Sequence, residues 1–230
     1  MQAENINSLY TLFKKYKKVS TDTREDVTDT LFFALKGKNF NGNKFAQKAL
    51  EAGAAYAVVD DKKVAKNDKY IVVQNVLKTM QQLAARYRME MLIPVIGITG
   101  TNGKTTTKEL ISSVLSKRYR VYATKGNLNN HVGVPLTLLS MPEDAEIAII
   151  EMGASHPDEI AELCKITIPT YGLITNIGNA HLEGFGTYEK IIETKGALYR
   201  AVEKVKGKLF VNKDNPLLKD LSGDPANCFY

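Results

Sequence analysis

Residues 94–119 read PVIGITGTNGKTTTKELISSVLSKRY, an apolar run, a glycine-punctuated turn and a stretch with helical spacing in one continuous string. Strand, tight turn and helix in that order restrict the chain to α/β folds, because such a strand is buried only when helices cover its sheet. Further apolar runs at 120–123, 147–150, 172–175 and 209–211 alternate with helical stretches. That alternation predicts a doubly wound, mostly parallel sheet. The closing residues CFY look like the opening of another strand, so this second domain reads as incomplete.

The segment before Pro94 has a different texture. It predicts a helix near 5–18, an irregular stretch TDTREDVTDT, an apolar run at 31–35, a helix at 43–53, and strands at 55–59 and 70–73. A helix over 75–91 closes it, with Val76, Met80, Leu83, Ala84 and Tyr87 at helical spacing. The reading is therefore a small α/β domain over 1–92 and an incomplete second α/β domain over 93–230.

Composition narrows the function classes. With 230 residues and 44% apolar side chains the chain can bury a full core. No stretch approaches the ~20 apolar residues of a membrane span, and the first residues lack the apolar centre of a secretory leader, so a cytoplasmic location is expected. Cys164 and Cys228 have no metal-ligand spacing and are expected to be reduced. The net charge is +6, yet the only dense basic run is Lys14, Lys15, Lys17 and Lys18, with Tyr16 alone between them. This reads as a solvated helix face rather than a nucleic-acid surface, and the surplus charge suits small anionic ligands.

The chemistry concentrates in Gly100–Thr107. Gly100 and Gly103 let the backbone curl so that its N–H groups point inward, and the following helix N-terminus adds partial positive charge. Such a turn cradles phosphate. Thr101, Asn102, Lys104, Thr105 and Thr106 complete the candidate set: Lys104 is placed to meet β and γ oxygens, and Thr105 to offer a hydroxyl to Mg²⁺. The spacing departs from the standard GxxxxGK[ST] string, because Ile98 stands where the first glycine is expected. A magnesium partner belongs on a neighbouring strand end. Glu151 directly follows the apolar string EIAII and fits, unless it is a plain solvated strand-end glutamate. His181 also follows a predicted strand, where an imidazole ligates metal, contacts phosphate or is merely exposed.

Taken together, STDTR (20–24), LFFALKG (31–37), GITGTNGKTTTKE (97–109), GNLNNHVGVPLTLL (126–139), IIEMGASHPDEIA (149–161), NIGNAHLEGFG (176–186), TKGALY (194–199) and VNKDN (211–215) resemble the Mur ligase family, in the family's order. The best-matching branch adds D-alanyl-D-alanine to a UDP-N-acetylmuramoyl-tripeptide. The resemblance implies a UDP-sugar-binding first domain, an ATP-binding second domain, and amide formation through an acyl phosphate. The family's third, C-terminal domain has no counterpart in this sequence, and the 230-residue chain is expected to show little ligase activity by itself.

By the same resemblance, Lys104 contacts phosphates, Thr105 and Glu151 hold one Mg²⁺, and His181 helps hold a second. Lys195 matches a lysine that many members carry as a carbamate; otherwise it is an ordinary helical lysine. Asn127, Asn129 and Asn130 match the muramoyl-contacting segment, although asparagine also favours turns. Asn212, Asp214 and Asn215 fall where the family contacts adenosine. Thr21, Thr23 and Arg24 match the loop near the uridine diphosphate, with a surface ion pair as the other reading of Arg24. GKNFNGNKF departs from the family's DGHxF form, with Asn41 for the acid and Asn43 for the histidine. The expected state is monomeric. The alternatives are another Mur ligase specificity, a nucleotide- or UDP-sugar-binding module without catalysis, and an unrelated phosphate-loop kinase or NTPase.

Overall fold

The computed structural model describes residues 6–180 and 182–230, and the chain divides into two compact units, Met1–Tyr87 and Arg88–Tyr230. The first unit holds α1 (Ile6–Tyr16), β1 (Val19–Ser20), β2 (Leu31–Phe33), β3 (Lys36–Gly37), β4 (Phe40–Asn41), α2 (Ala46–Glu51), β5 (Tyr56–Val59), β6 (Tyr70–Val72) and α3 (Val76–Glu90), whose last turn crosses into the second unit. Its sheet has the order β1-β2-β5-β6, parallel throughout. All three residues of β2 are buried, as a parallel strand covered on both faces requires. From α1 the apolar stripe Leu9, Tyr10 and Phe13 is buried, and Phe13 meets Tyr87 edge-on at 5.0 Å.

The hairpin of β3 and β4 has no signature in the sequence, because two residues per strand carry no readable alternation. The expected helix at 43–53 divides into a 3-10 turn, Gly42–Phe45, and α2. At that turn Asn43 is buried and saturated. Its amide donates to Asn41 Oδ1 (3.0 Å) and Asp60 Oδ1 (2.8 Å), and its carbonyl accepts from the Asp60 amide (3.1 Å). Lys36 pairs with the same Asp60 at 2.7 Å. The asparagine that replaces the expected histidine is therefore a structural lock inside the unit.

The second unit contains β7 (Val95–Thr99), α4 (Lys104–Leu115), β8 (Val121–Ala123), α5 (Gly133–Leu139), β9 (Ile147–Glu151), α6 (Glu159–Thr167), β10 (Tyr171–Ile174), α7 (Leu182–Phe185), α8 (Tyr188–Lys204), β11 (Lys208–Phe210), α9 (Pro216–Leu221) and β12 (Cys228–Phe229). Its six strands are all parallel, in the order β12-β11-β10-β7-β9-β8. The doubly wound parallel sheet expected from the alternation is the observed one. After β7 the chain builds outward to β8 and back to β9, then crosses to β10 on the other side. The order thus reverses at β7, and a crevice outside the strands' carboxyl ends is where such sheets take ligands. All five residues of β7 are buried.

Helical spacing groups Leu110, Ile111, Val114 and Leu115 on one face of α4, and two of the four meet the sheet. Leu110 is 65% and Val114 70% exposed, while Ile111 and Leu115 pack on the sheet and Lys108 is fully buried. Positions 104, 108, 111 and 115 share a stripe at helical spacing. Lys104 at the first turn, bonded back to the Gly100 and Thr101 carbonyls, lies on that stripe with the sheet below it, which leaves Lys108 in the core. The Lys108 ammonium is held by the Thr124 carbonyl at 2.6 Å and the Glu109 carboxylate at 2.8 Å. Arg88 is a second buried cation, donating to the carbonyls of Met91 (2.6 Å), Thr167 (2.8 Å) and Ile168 (3.0 Å). It thereby caps the end of α6, where a helix dipole favours positive charge. Both cysteines are free, and burial pushes the Cys164 thiol up to about 12.

Candidate functional site

Four segments meet at the carboxyl ends of the central strands: the turn 100–103 after β7, the loop 124–130 after β8, the residues following β9, and the segment 175–178 after β10. The turn depends on its glycines. Gly100 has φ +148°, and a Cβ there would lie 1.9 Å from Thr175 Oγ1; Gly103 caps α4 with φ +77°. A side chain at Gly100 would collide with Thr175, and one at Gly103 would meet open space but strain the left-handed backbone.

The turn is braced by the segment after β10. Thr101 N donates to the Asn176 carbonyl (2.9 Å), Asn102 N to Asn176 Oδ1 (3.1 Å), and Gly178 N to Thr101 Oγ1 (2.9 Å). The Asn102 carbonyl accepts from Thr175 Oγ1 (2.7 Å) and Asn176 Nδ2 (3.0 Å). Sequence reasoning gives Thr175 and Asn176 no role. The signal is there, a Thr-Asn pair directly after a strand, but its partner loop lies more than seventy residues away.

Two lysines converge inside the turn. Lys104 Nζ donates to the carbonyls of Gly100 (2.9 Å) and Thr101 (3.0 Å), and Lys195 Nζ reaches the same Gly100 carbonyl at 3.1 Å from the buried face of α8. Burial lowers the Lys104 ammonium from its usual range, opposed by Glu151. For Lys195, burial and then the charge on Lys104 bring the value down to about 8. From about pH 8 upward a large share of this amine is neutral, the form able to act as a nucleophile.

Glu151 ends β9 and is 1% exposed. Its Oε2 accepts from the Thr105 hydroxyl at 2.9 Å, its Oε1 from Asn129 Nδ2 at 2.8 Å, and its amide donates to Thr124 Oγ1 at 3.0 Å. A solvated strand-end glutamate has no such environment. The hydroxyl and carboxylate offer oxygen donors side by side, and among the described residues no group of three His, Cys, Asp or Glu forms a metal cage. One carboxylate and one hydroxyl suit Mg²⁺, which keeps waters and phosphate oxygens as its remaining ligands.

The other expected residues sort by environment. Thr106 lies exposed on the first turn of α4. Asn130 Oδ1 accepts from the amides of Val132 and Gly133 and so starts α5, while Asn127 is exposed. Asn212 Oδ1 accepts from the Asp214 amide, and Asn215 caps α9 through Leu218 N. Asn212 also lines a cavity of about 380 Å³ with Thr107, Thr175, Phe210 and Tyr230, beside α4; Asp214 and Asn215 do not line it. His181 falls outside the described residues. In the first unit Thr21 and Thr23 are half-buried after β1. The Arg24 guanidinium is forked onto Asp22, with Nε at 2.9 Å and 3.0 Å from the two carboxylate oxygens, and holds that carboxyl down at about 2. The surface ion pair is the observed state of Arg24.

Comparison with known proteins adds to this geometry. Residues 98–228 match the model of the Mur ligase middle domain, and residues 15–95 match that of the Mur ligase family, catalytic domain. The chain belongs to the Mur ligase family. It is 45% identical over 205 residues to UDP-N-acetylmuramoyl-tripeptide--D-alanyl-D-alanine ligase of Bacillus subtilis, covering 88% of this chain and 44% of that protein. It is 36% identical over 197 residues to the Escherichia coli protein of the same name, covering 86% and 43%. Among solved structures, the MurF ligase of Thermotoga maritima in complex with ADP superimposes with a TM-score of 0.84 at 34% identity, over 93% of this chain and 49% of that one. MurF of Acinetobacter baumannii gives 0.83 at 32% identity, over 93% and 47%. The chain spans less than half the length of these relatives. Among the described residues no helix is long and apolar enough to cross a membrane.

Proposed function

We propose that the chain carries the ATP- and UDP-sugar-handling part of a ligase that joins a UDP-N-acetylmuramoyl-tripeptide to D-alanyl-D-alanine. The observation that carries this reading is the contact of Thr105 with the buried Glu151, at the mouth of a glycine turn lined by Lys104. Relatives of that name, and a neighbour described as holding ADP, support it.

In this reading the turn 100–103 and the N-terminus of α4 receive the triphosphate, Lys104 leaves its two carbonyl acceptors for phosphate oxygens, and Thr105 with Glu151 hold Mg²⁺. The cation supplies charge neutralisation for two anions that must meet. ATP is consumed as a substrate. The tripeptide carboxylate takes the γ-phosphoryl group as ADP leaves, and the amine of D-alanyl-D-alanine then displaces phosphate from the acyl carbon to form the amide. Positioning and charge compensation do most of the work. Asn212 belongs to the adenosine side, Asn127 to the muramoyl side, and Thr21, Thr23 and Arg24 to the diphosphate. Lys195, brought down to about 8, is a candidate for carbamate formation, which converts a cation into an oxygen ligand.

Calorimetric titration of the chain with ADP and Mg²⁺, and separately with the UDP-linked tripeptide, tests the reading. Binding of both is expected, with ADP affinity raised by Mg²⁺. Tight binding of the UDP-sugar with no binding of nucleotide would leave only a sugar-binding module. Absence of both would remove the proposal.

A further inference from the structure

Three asparagines in one short loop, 127, 129 and 130, look equivalent in the sequence and are separated by their surroundings. Asn130 is spent on starting α5, and Asn127 is exposed with no side-chain hydrogen bond among the described residues. Asn129 does something else. Its side-chain amide donates to Glu151 Oε1 at 2.8 Å, and its backbone carbonyl accepts from Gly153 N at 2.8 Å. Gly153 makes room for this approach, since a Cβ there would sit 3.0 Å from Asn129 Oδ1 and crowd the side chain. The loop is therefore clamped on both sides of the strand end that bears the carboxylate.

We propose that Asn129 is a positioning residue that occupies one oxygen of Glu151 and so turns the other, beside Thr105, toward the cation of a bound nucleotide. The inference rests on the nucleotide–Mg²⁺ reading of the site and goes beyond it by giving Asn129 a role other than touching the sugar-peptide. The two oxygens of Glu151 have different partners, Asn129 on Oε1 and Thr105 on Oε2. A carboxylate so divided cannot rotate without losing one of them. With an amide N–H fixed on Oε1, Oε2 is the oxygen that would be left to share a cation with the Thr105 hydroxyl. The backbone is settled independently, because Glu151 N already donates to Thr124 Oγ1 at 3.0 Å. What remains free to move is the carboxylate torsion, and Asn129 is the group that holds it through the oxygen away from Thr105.

A double-mutant cycle on the 230-residue chain reads this directly. ADP affinity is measured by calorimetry with Mg²⁺ and with EDTA, in wild type, Asn129→Ala, Glu151→Gln and the double variant. About a tenfold loss of the Mg²⁺-dependent gain is expected for Asn129→Ala, on the scale of one charge-assisted hydrogen bond. The EDTA affinity should stay unchanged, and Asn129→Ala should add nothing in the Glu151→Gln background. Equal losses in both backgrounds, or a fall in the EDTA affinity, would make Asn129 a general structural residue and overturn the proposal. So would weakened binding of the UDP-linked tripeptide with the Mg²⁺ gain intact. A wild-type chain whose ADP affinity ignores Mg²⁺ would instead bring down the nucleotide–Mg²⁺ reading itself, and this inference with it.

Discussion

The two units present their expected ligand-binding residues in opposite ways. In the second, Lys104, Thr105, Glu151, Asn129 and Lys195 are tied by hydrogen bonds of 2.8–3.1 Å to each other or to the turn 100–103, and Glu151 and Lys195 are buried. In the first, Thr21, Thr23 and Arg24 sit on an irregular loop, and the Arg24 side chain is 86% exposed and occupied by Asp22. A parallel sheet fixes the ends of its strands to within hydrogen-bonding tolerance, so groups placed there are pre-organised. A loop leaves its groups to be recruited from competing partners. Substitutions in the second unit should therefore disturb binding strongly, and substitutions on the loop of the first weakly.

The largest effect is expected for Lys104→Ala. Its ammonium lies among the carbonyls of the turn 100–103, and on the proposed reading loss of a charged donor to phosphate costs on the order of 2–3 kcal/mol, about a hundredfold in ADP affinity. Binding of the UDP-linked tripeptide should change little. Calorimetry with each ligand checks both halves, and unchanged ADP affinity would remove Lys104 from the site. Glu151→Gln keeps the acceptor for Thr105 but discards the charge. It should erase most of the Mg²⁺-dependent gain in ADP affinity, roughly tenfold to thirtyfold, while leaving the EDTA value alone.

How far the sequence foretells this contrast depends on contact range. The parallel sheet of the second unit is readable because each strand is a short apolar run between helical stretches, and the turn 100–103 because glycines, lysine and threonine fall within a few residues. What stays hidden is set by distant partners. Asn176 braces Asn102 across seventy-four residues, and Lys108 looks like a surface lysine until Thr124 is seen beneath it. Of the apolar residues on α4, Ile111 and Leu115 meet the sheet while Leu110 and Val114 face outward, since helical spacing defines stripes without saying which one meets the sheet. Asn43 reads in the sequence only as a departure from the family's DGHxF form, and the carboxylate of Asp60 reveals it as a lock.

That lock gives an intermediate effect, on stability rather than binding. Asn43→Ala removes the amide from Asn41 and Asp60 inside the first unit, and should cost about 1–3 kcal/mol, the usual penalty for leaving buried polar partners unmet. Denaturant unfolding should show the lowered midpoint without a change in ADP affinity. Lys195 offers a pH-dependent counterpart in the second unit. Burial, then Lys104, lowers its folded value to about 8 from the ordinary lysine value of 10.5, so between these values the unfolded chain binds more protons than the folded one. Its contribution to stability therefore rises with pH through that window, and below about pH 8 the buried charge is a constant penalty. The melting temperature of wild type minus that of Lys195→Met should increase from about pH 8 toward about pH 10. A flat difference would mean that the amine is not desolvated.

The smallest effect is expected at Arg24. Its guanidinium already satisfies the Asp22 carboxylate, so any diphosphate must compete with a fork of contacts at 2.9 Å and 3.0 Å, and only the difference between the two partners reaches the measured affinity. Arg24→Ala should lower affinity for the UDP-linked tripeptide by about threefold to fivefold, well below the effect of deleting a pre-organised cation. The melting temperature should not move, because the side chain is exposed. Asp22→Asn is the complementary change, since it frees Arg24 while keeping the side-chain shape, and should tighten UDP binding if competition is what weakens this region. If Arg24→Ala instead cut affinity about a hundredfold, the loop would hold its ligand groups as firmly as the strand ends do, and irregular backbone would not be the reason the two units differ.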